Sequence, residues 1–391
     1  MATTLGDIFT LVDDRRRDSS TNSVGLAEKM RAINSTLDIW NNLHDWPWTI
    51  KEAQFNYNAN IDWYSLSTIA SDFKSPLTLK LFKNTNKEAE FWMVSDLKFD
   101  SATTKSKRFA IADRMRSQYL RAKANTGNWT TIEAATAYAD NGTWIAAGSA
   151  SNIGTDEYEG FDYPASVKFT YSGTSGTVTN STFNAVDLSS YQNRSNLYVD
   201  VYIPEETNLT SISLKWGSSA SDYYTVTTTT NYLGSAFAEG WNRIKFAWNN
   251  PTEVGTVDVT AIDYLQLTIT YSGTPGTVIY RVQNFFVSEN VPLLLTYYSV
   301  NSVYDVSGTT QLQKFNDSTA TTDYPLWSGR WDSVTEQFIN SVLEILFWMT
   351  GEYTDKQLAQ NKIFEIVEPL KAQFPSKKRK PATFITVDIN Y

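Results

Sequence analysis

The sequence predicts an α+β protein, with a helical domain that carries a small β-sheet and is interrupted by an antiparallel β-sandwich or barrel. Three observations carry this. Apolar residues recur at helical spacing near both ends of the chain. Between residues 129 and 290, short β-branched and aromatic runs alternate with clusters of Gly, Ser, Asn and Pro. Helical sequence then returns in the last third. The middle therefore reads as an insertion: residues 1–128 and 291–375 form the host domain, 129–290 the inserted β domain, and 376–391 a basic C-terminal arm.

The first helix opens at a capping box, Thr4-x-x-Asp7, and runs toward Asp18 with Leu5, Ile8, Phe9 and Val12 on its apolar face. In the second, Leu26, Met30, Ile33, Leu37 and Trp40 step by three and four residues. It ends near His44-Asp45-Trp46-Pro47-Trp48, because proline disfavours helix in the residue before it. Trp63–Leu66, Leu77–Phe82 and Phe91–Val94 read as strands, and Ile111, Met115 and Tyr119 as a further helical pattern.

Within the insertion the best strands are Ser166–Tyr171, Asn196–Ile203, Ser211–Lys215, Tyr223–Thr228, Trp241–Ala247, Tyr264–Tyr271 and Val278–Val287. Leu197, Val199, Val201 and Ile203 alternate with polar or aromatic neighbours, so one face of that strand should meet a core. Tyr171-Ser-Gly-Thr-Ser-Gly-Thr-Val178 echoes Tyr271-Ser-Gly-Thr-Pro-Gly-Thr-Val278, which suggests two similar hairpin turns. After the apolar run Val291–Tyr298, a capping box at Ser333-x-x-Glu336 opens a helix with Val334, Phe338, Val342, Ile345 and Met349 on one side. Gly351 closes it, and Thr354-x-x-Gln357 opens a partner helix with Leu358, Ile363, Val367 and Leu370. A short turn between two such helices predicts an αα-hairpin.

Composition narrows the chemistry. The chain has 391 residues, 14% aromatic and 19% charged, which is the balance of a folded protein. Its net charge of −9 repels nucleic acid, so any DNA contact has to be local. Cysteine is absent and His44 is the sole histidine, which excludes disulfides, thiolate metal sites and histidine-built zinc sites. No Walker loop, dinucleotide fingerprint or Gly-x-Ser-x-Gly elbow occurs. The N-terminus lacks the pattern of a signal peptide, and no apolar run is long enough to span a membrane. The expectation is a protein without catalytic residues or cofactor. Ca2+ held by Asp156-Glu157-x-Glu159-x-x-Asp162 is weighed against a solvated acidic loop.

Two groups of residues are candidates for contact. Trp216, Tyr223, Tyr224 and Trp241 lie at strand ends or turns, where an exposed ring can stack on a sugar; the competing reading puts the tryptophans in the core. Lys377, Lys378, Arg379 and Lys380 could meet DNA phosphates or an acidic partner, or remain a solvated linker. The strand-like tail after Pro381, with Phe384 and Ile385, could add to a partner's sheet edge. Arg15-Arg-Arg17 suits the C-terminal end of the first helix.

Several phrases resemble the bacteriophage head–tail adaptor (neck, or head-completion) family. They are the helix running into Asp45-Trp-Pro-Trp48, and Trp63-Tyr-Ser-Leu66 with Asp72-Phe73, where Ser67 replaces the family's proline. Val94-Ser-Asp-Leu-Lys-Phe-Asp100 follows. Last comes Leu294-Leu-Thr-Tyr-Tyr298, with Asp323-Tyr-Pro-Leu-Trp327 and the helix pair behind it. The insertion resembles carbohydrate-binding jelly rolls in Val186-Asp-Leu-Ser-Ser-Tyr191, Leu197–Pro204, Glu239-Gly-Trp-Asn-Arg-Ile-Lys-Phe246 and Val259–Leu265, a resemblance that narrows its expected fold to a jelly-roll β-sandwich. The first resemblance implies a virion protein at the head–tail interface, made in the host cytoplasm and assembled as a closed ring of about twelve copies. It implies portal and tail or nozzle proteins as partners, DNA passing transiently through the channel, and an arm that docks on the portal. The sandwich would then face outward. The alternative is a glycan-binding virion fibre or head-decoration protein that meets host-surface glycans; a third reading, a glycosidase, needs a pair of carboxylates. No membrane partner is expected.

Overall fold

A computed structural model describes residues 3–16, 24–82, 90–101, 107–114, 117–124, 127–305, 307–316, 321–328, 332–352 and 355–376. The chain begins with α1 (Leu5–Arg16), α2 (Leu26–Leu43), β1 (Ile50–Asn58), β2 (Trp63–Ser65), α3 (Leu66–Ile69), β3 (Phe73–Leu81), β4 (Trp92–Met93), β5 (Arg108–Arg114) and β6 (Ser117–Lys123). The middle holds β7 (Trp129–Glu133), β8 (Trp144–Asp156), β9 (Ser166–Asn180), β10 (Ser195–Ile203), β11 (Leu209–Gly217), β12 (Tyr223–Thr228), β13 (Gly240–Ala247), β14 (Thr252–Val254), β15 (Tyr264–Tyr271) and β16 (Val278–Ser299). Then come β17 (Val303–Tyr304), β18 (Gln311–Leu312), β19 (Tyr324–Pro325), α4 (Asp332–Met349) and α5 (Lys356–Gln373).

Both ends of the chain close one helical core. Leu5, Ile8, Phe9 and Val12 of α1 and Ile33, Leu37 and Trp40 of α2 pack with Phe338, Val342 and Ile345 of α4 and with Ile363 and Val367 of α5. The capping box on α1 forms: Thr4 N donates to Asp7 Oδ2 at 2.8 Å, and Asp7 N donates to Thr4 Oγ1 at 3.2 Å. Arg15 reaches across to Glu336 and Asn340 of α4, and Arg16 pairs with Glu352 at 3.1 Å. Two caps differ from expectation. Helix α4 starts at Asp332, so Ser333 lies inside it, and α5 is capped by Asp355, whose carboxylate accepts from Gln357 N at 2.8 Å. His44 Nε2 sits 2.7 Å from the carbonyl of Phe374, which ties the end of α2 to the end of α5.

Of the segment expected as a helix through Ile111, Met115 and Tyr119, Met115 lies outside the described residues, and Ile111 and Tyr119 fall instead on the antiparallel pair β5–β6, with Ile111 opposite Leu120. A spacing of four residues is a multiple of the strand period as well as near the helix period, so it could not separate them. This pair joins β2 and β4 in a second small sheet.

The sandwich is antiparallel throughout. The long pair β8–β9 serves both layers: Val167–Tyr171 of β9 pairs with β16, whereas Ser175–Asn180 pairs with β15. One layer runs β13-β10-β16-β9 and the other β9-β15-β11-β12-β14, around a core that includes Leu197, Val199, Val201 and Ile203 as the alternation predicted. The echo at 171–178 is therefore not a hairpin turn. It is the crossing point of β9, while its counterpart at 271–278 does form the turn from β15 to β16. Gly148, at φ +67°, and Gly176 permit this crossing. A Cβ on Gly176 would come within 2.6 Å of Ala150 N and 2.8 Å of the Tyr171 ring. Gly176→Ala is accordingly expected to cost ~1–3 kcal/mol of stability in denaturant unfolding.

Strand β16 is the physical link between the two halves. Its first part pairs with β9, β10 and β7; from Asn290 onward it pairs with β1 and β3, lying between them. Residue 290, the expected edge of the insertion, falls inside this strand. The sandwich is thus joined to the helical half by shared sheet rather than by a linker on that side.

Candidate functional site

The outer face of layer β13-β10-β16 carries the polar and aromatic side chains that the core does not take. Along β10 these are Asn196, Tyr198, Asp200 and Tyr202, alternating with the core residues as the strand period requires. The turn between β1 and β2 docks on this face. Ile61 packs with Tyr198 and Phe286, whose rings stack at 5.1 Å. Asn58 accepts from Tyr198 OH at 3.0 Å and donates to Asn290 Oδ1 at 2.8 Å. Asn60 turns the chain in the left-handed region, at φ +68°, which asparagine tolerates better than most residues.

Arg243 of β13 holds this docking together. Its Nε and Nη2 meet the two oxygens of Asp200 at 2.7 and 2.8 Å; Nη2 also reaches Asp162 at 3.2 Å, and Nη1 donates to the Asn60 carbonyl at 3.4 Å. The guanidinium lies over Phe161 and Phe286, 4.9 and 5.1 Å from their centroids. Asp200 is fully buried and accepts a further bond from Asn284 at 2.8 Å. Burial pushes its carboxyl above the usual carboxylate range, and Arg243 opposes that shift.

Two adjoining clefts open on one side of the turn. The first, about 320 Å3, is lined by Asn60, Trp129, Thr131, Asp162, Tyr163 and Asn284, among others. The second, about 370 Å3, includes Asn60, Asp62, Lys123 and Trp129. Asn60 and Trp129 belong to both, so they form one groove with Trp129 at its middle. Trp129 is 47% exposed and Tyr163 54% exposed. Asp62 is held above the usual carboxylate range by burial, with Lys123 and Arg121 pulling the other way.

The residues expected to meet a sugar are dispersed. Trp216 and Tyr224 are buried in the sandwich core, where Trp216 packs on Tyr224 at 5.8 Å and on Trp248 at 5.5 Å. They face inward because Trp216 shares the parity of the core residues Leu214 and Ile212. Tyr223 points outward, but the Lys215 ammonium lies 4.3 Å from its ring centroid. Trp241 is half-buried, with Phe161 and Tyr202 edge-on to it. Of the groove residues, the sequence singled out Asp162 only as part of the acidic loop, and Trp129 was visible only as the point where composition changes. Lys377, Lys378, Arg379, Lys380, Phe384 and Ile385 lie outside the described residues.

The acidic loop is neither a calcium cage nor simply solvated. Asp156 and Glu159 meet Arg281 at 3.0 and 2.7 Å, and Asp162 serves Arg243. Among the described residues, no cluster of three or more Asp, Glu or His is arranged to hold a metal ion, and no helix is long and apolar enough to cross a membrane.

No protein-family model matches the chain, and no curated protein matches it in sequence. Solved structures similar to it include a family 30 carbohydrate-binding module, 11% identical with a TM-score of 0.32, covering 41% of this chain and 99% of that one. TmCBM61, solved in complex with β-1,4-galactotriose, is 10% identical with a TM-score of 0.26, covering 39% of this chain and 91% of that one. An exo-β-agarase is 11% identical with a TM-score of 0.30, covering 41% of this chain and 25% of that one.

Proposed function

We propose that this protein binds glycan without turning it over, and that the groove astride Trp129 is the binding site. The observation that carries this reading is a half-exposed indole between two polar clefts. An indole face stacks on the C–H face of a sugar ring, while Asn60, Asp162 and Asn284 on one side and Asp62 and Lys123 on the other can hydrogen-bond its hydroxyls. A screen of the full chain on immobilised glycans should find a ligand, and Trp129→Ala should weaken it by roughly tenfold or more, the loss of one central aromatic contact. An unchanged affinity in Trp129→Ala would remove the groove from consideration. Release of new reducing ends from a bound glycan would replace binding with hydrolysis.

A role as a neck adaptor of a bacteriophage is the second reading. Two features support it besides the sequence resemblance: helices from both chain ends share one core, and β16 runs from the sandwich into the sheet it forms with β1 and β3. Gold-tagged antibody on intact source virions tests it. Label confined to the head–tail vertex supports the adaptor, and label along fibres or over the capsid supports a glycan-binding fibre or decoration protein.

A further inference from the structure

A second cleft flanks the β1–β2 turn and shares no lining residue with the Trp129 groove. It is about 300 Å3, and its walls come from both halves of the molecule: β1, β2 and α3 on one side, β10, β13 and the segment around Tyr232 on the other. The amides of Asn58, Asn196 and Asn290 bond to one another at its base. Asn56 and Asn249 are different. Among the described residues their side chains have no hydrogen-bond partner, so they are free to serve a ligand. Trp63, Tyr64 and Tyr232 supply ring surface.

The charge in this cleft is Lys245. It projects from β13 on the same face as Arg243, two residues away, but the two cations are used differently. Arg243 is saturated by Asp200 and Asp162. Lys245 pairs with no carboxylate among the described residues, although the chain carries an excess of acid. Its side chain remains open to solvent on one side, yet the cleft walls desolvate it enough to pull its ammonium below the ordinary lysine range. A cation kept partly desolvated beside unengaged amides and aromatic rings is suited to an anionic, ring-shaped, hydroxylated ligand.

We infer that this cleft binds a carboxylate-bearing sugar residue, a hexuronate, with Lys245 pairing its carboxylate and Asn56 and Asn249 its hydroxyls. The inference extends the glycan reading to a second site and to an acidic sugar class, and it rests on that reading for the ligand being a saccharide. It does not need the Trp129 groove.

Calorimetry on the full chain tests it, with oligogalacturonate and neutral oligosaccharides as probes against wild type, Lys245→Gln, Asn249→Ala and Trp129→Ala. Oligogalacturonate should bind wild type and Trp129→Ala alike, weaken about tenfold in Lys245→Gln, and weaken further as salt rises. Asn249→Ala, which keeps the charge, should also weaken it. Neutral oligosaccharides should be unaffected by Lys245→Gln. No binding of oligogalacturonate to wild type, or equal binding to wild type and Lys245→Gln, overturns the inference. Failure of neutral oligosaccharides to bind wild type, with oligogalacturonate still bound, would instead count against the groove and leave this cleft standing.

Discussion

Replacing Arg243 by methionine should destabilise the protein by ~3–5 kcal/mol at neutral pH, because it strands a buried carboxylate. Asp200 is fully buried and takes both oxygens' strongest bonds from Arg243; Asn284 alone cannot replace them. The loss should depend on pH, and its sign follows from the direction of the Asp200 shift. Burial raises this carboxyl in the folded state even with Arg243 present. A group raised on folding favours the folded state below its ordinary pKa, and that contribution disappears as pH rises through the raised value. Without Arg243 the rise is larger. The variant should therefore be close to wild type near about pH 4 and fall progressively behind it toward about pH 7. Denaturant unfolding at a series of pH values measures this. A deficit that is the same at every pH would mean that Asp200 is not the group left unpaired.

Trp40→Ala should cost ~3–5 kcal/mol through a different cause, the loss of a large buried ring at the centre of the helical half. Trp40 is 1% exposed. Its ring lies 5.4 Å from Trp46, 5.8 Å from Trp327 and 5.4 Å from Phe338, and its Nε1 donates to Ser341 Oγ at 3.1 Å. Those partners come from opposite ends of the chain, so the cavity opens where the two ends meet. Thermal unfolding read by near-ultraviolet circular dichroism follows it directly. A loss below about 1 kcal/mol would indicate that the helices close around the gap, which a core this rich in rigid rings should resist.

Much of the helical half was legible in the sequence, for a definite reason. In α1 and α2, Leu5, Ile8, Phe9, Val12, Ile33, Leu37 and Trp40 repeat at a period that only a helix satisfies over that length, and all of them are buried. The Thr4–Asp7 box forms because both its bonds are local. The inward set of β10 was legible on the same grounds. What failed depended on which strands pair, which periodicity within one segment does not report. The Ile111–Tyr119 spacing suited helix and strand equally, and β6 decided it by pairing with β5. The two Gly-Thr echoes have almost the same residues, yet one sits mid-strand and the other forms a turn, because β8 lies along the first.

The site was the least legible part. Trp216 and Tyr224 have the chemistry of a sugar platform, and residue type left Trp216 open between surface and core; both are buried, Trp216 by the strand parity it shares with Leu214 and Ile212. Trp129, Asn60 and Asp162 are separated by long stretches of chain, and no local pattern joins them. By itself, the sequence determined the α+β class, the helical ends, the β-type middle and the inward face of β10, since each follows from periodicity within one segment. Only the tertiary structure decided that β16 runs through both halves, that the β1–β2 turn docks on the outer face of β10, and that clefts remain on either side of it. Those features arise from pairing across hundreds of residues and from one arginine, Arg243, that ties three segments together, and neither leaves a mark at any fixed spacing in the chain.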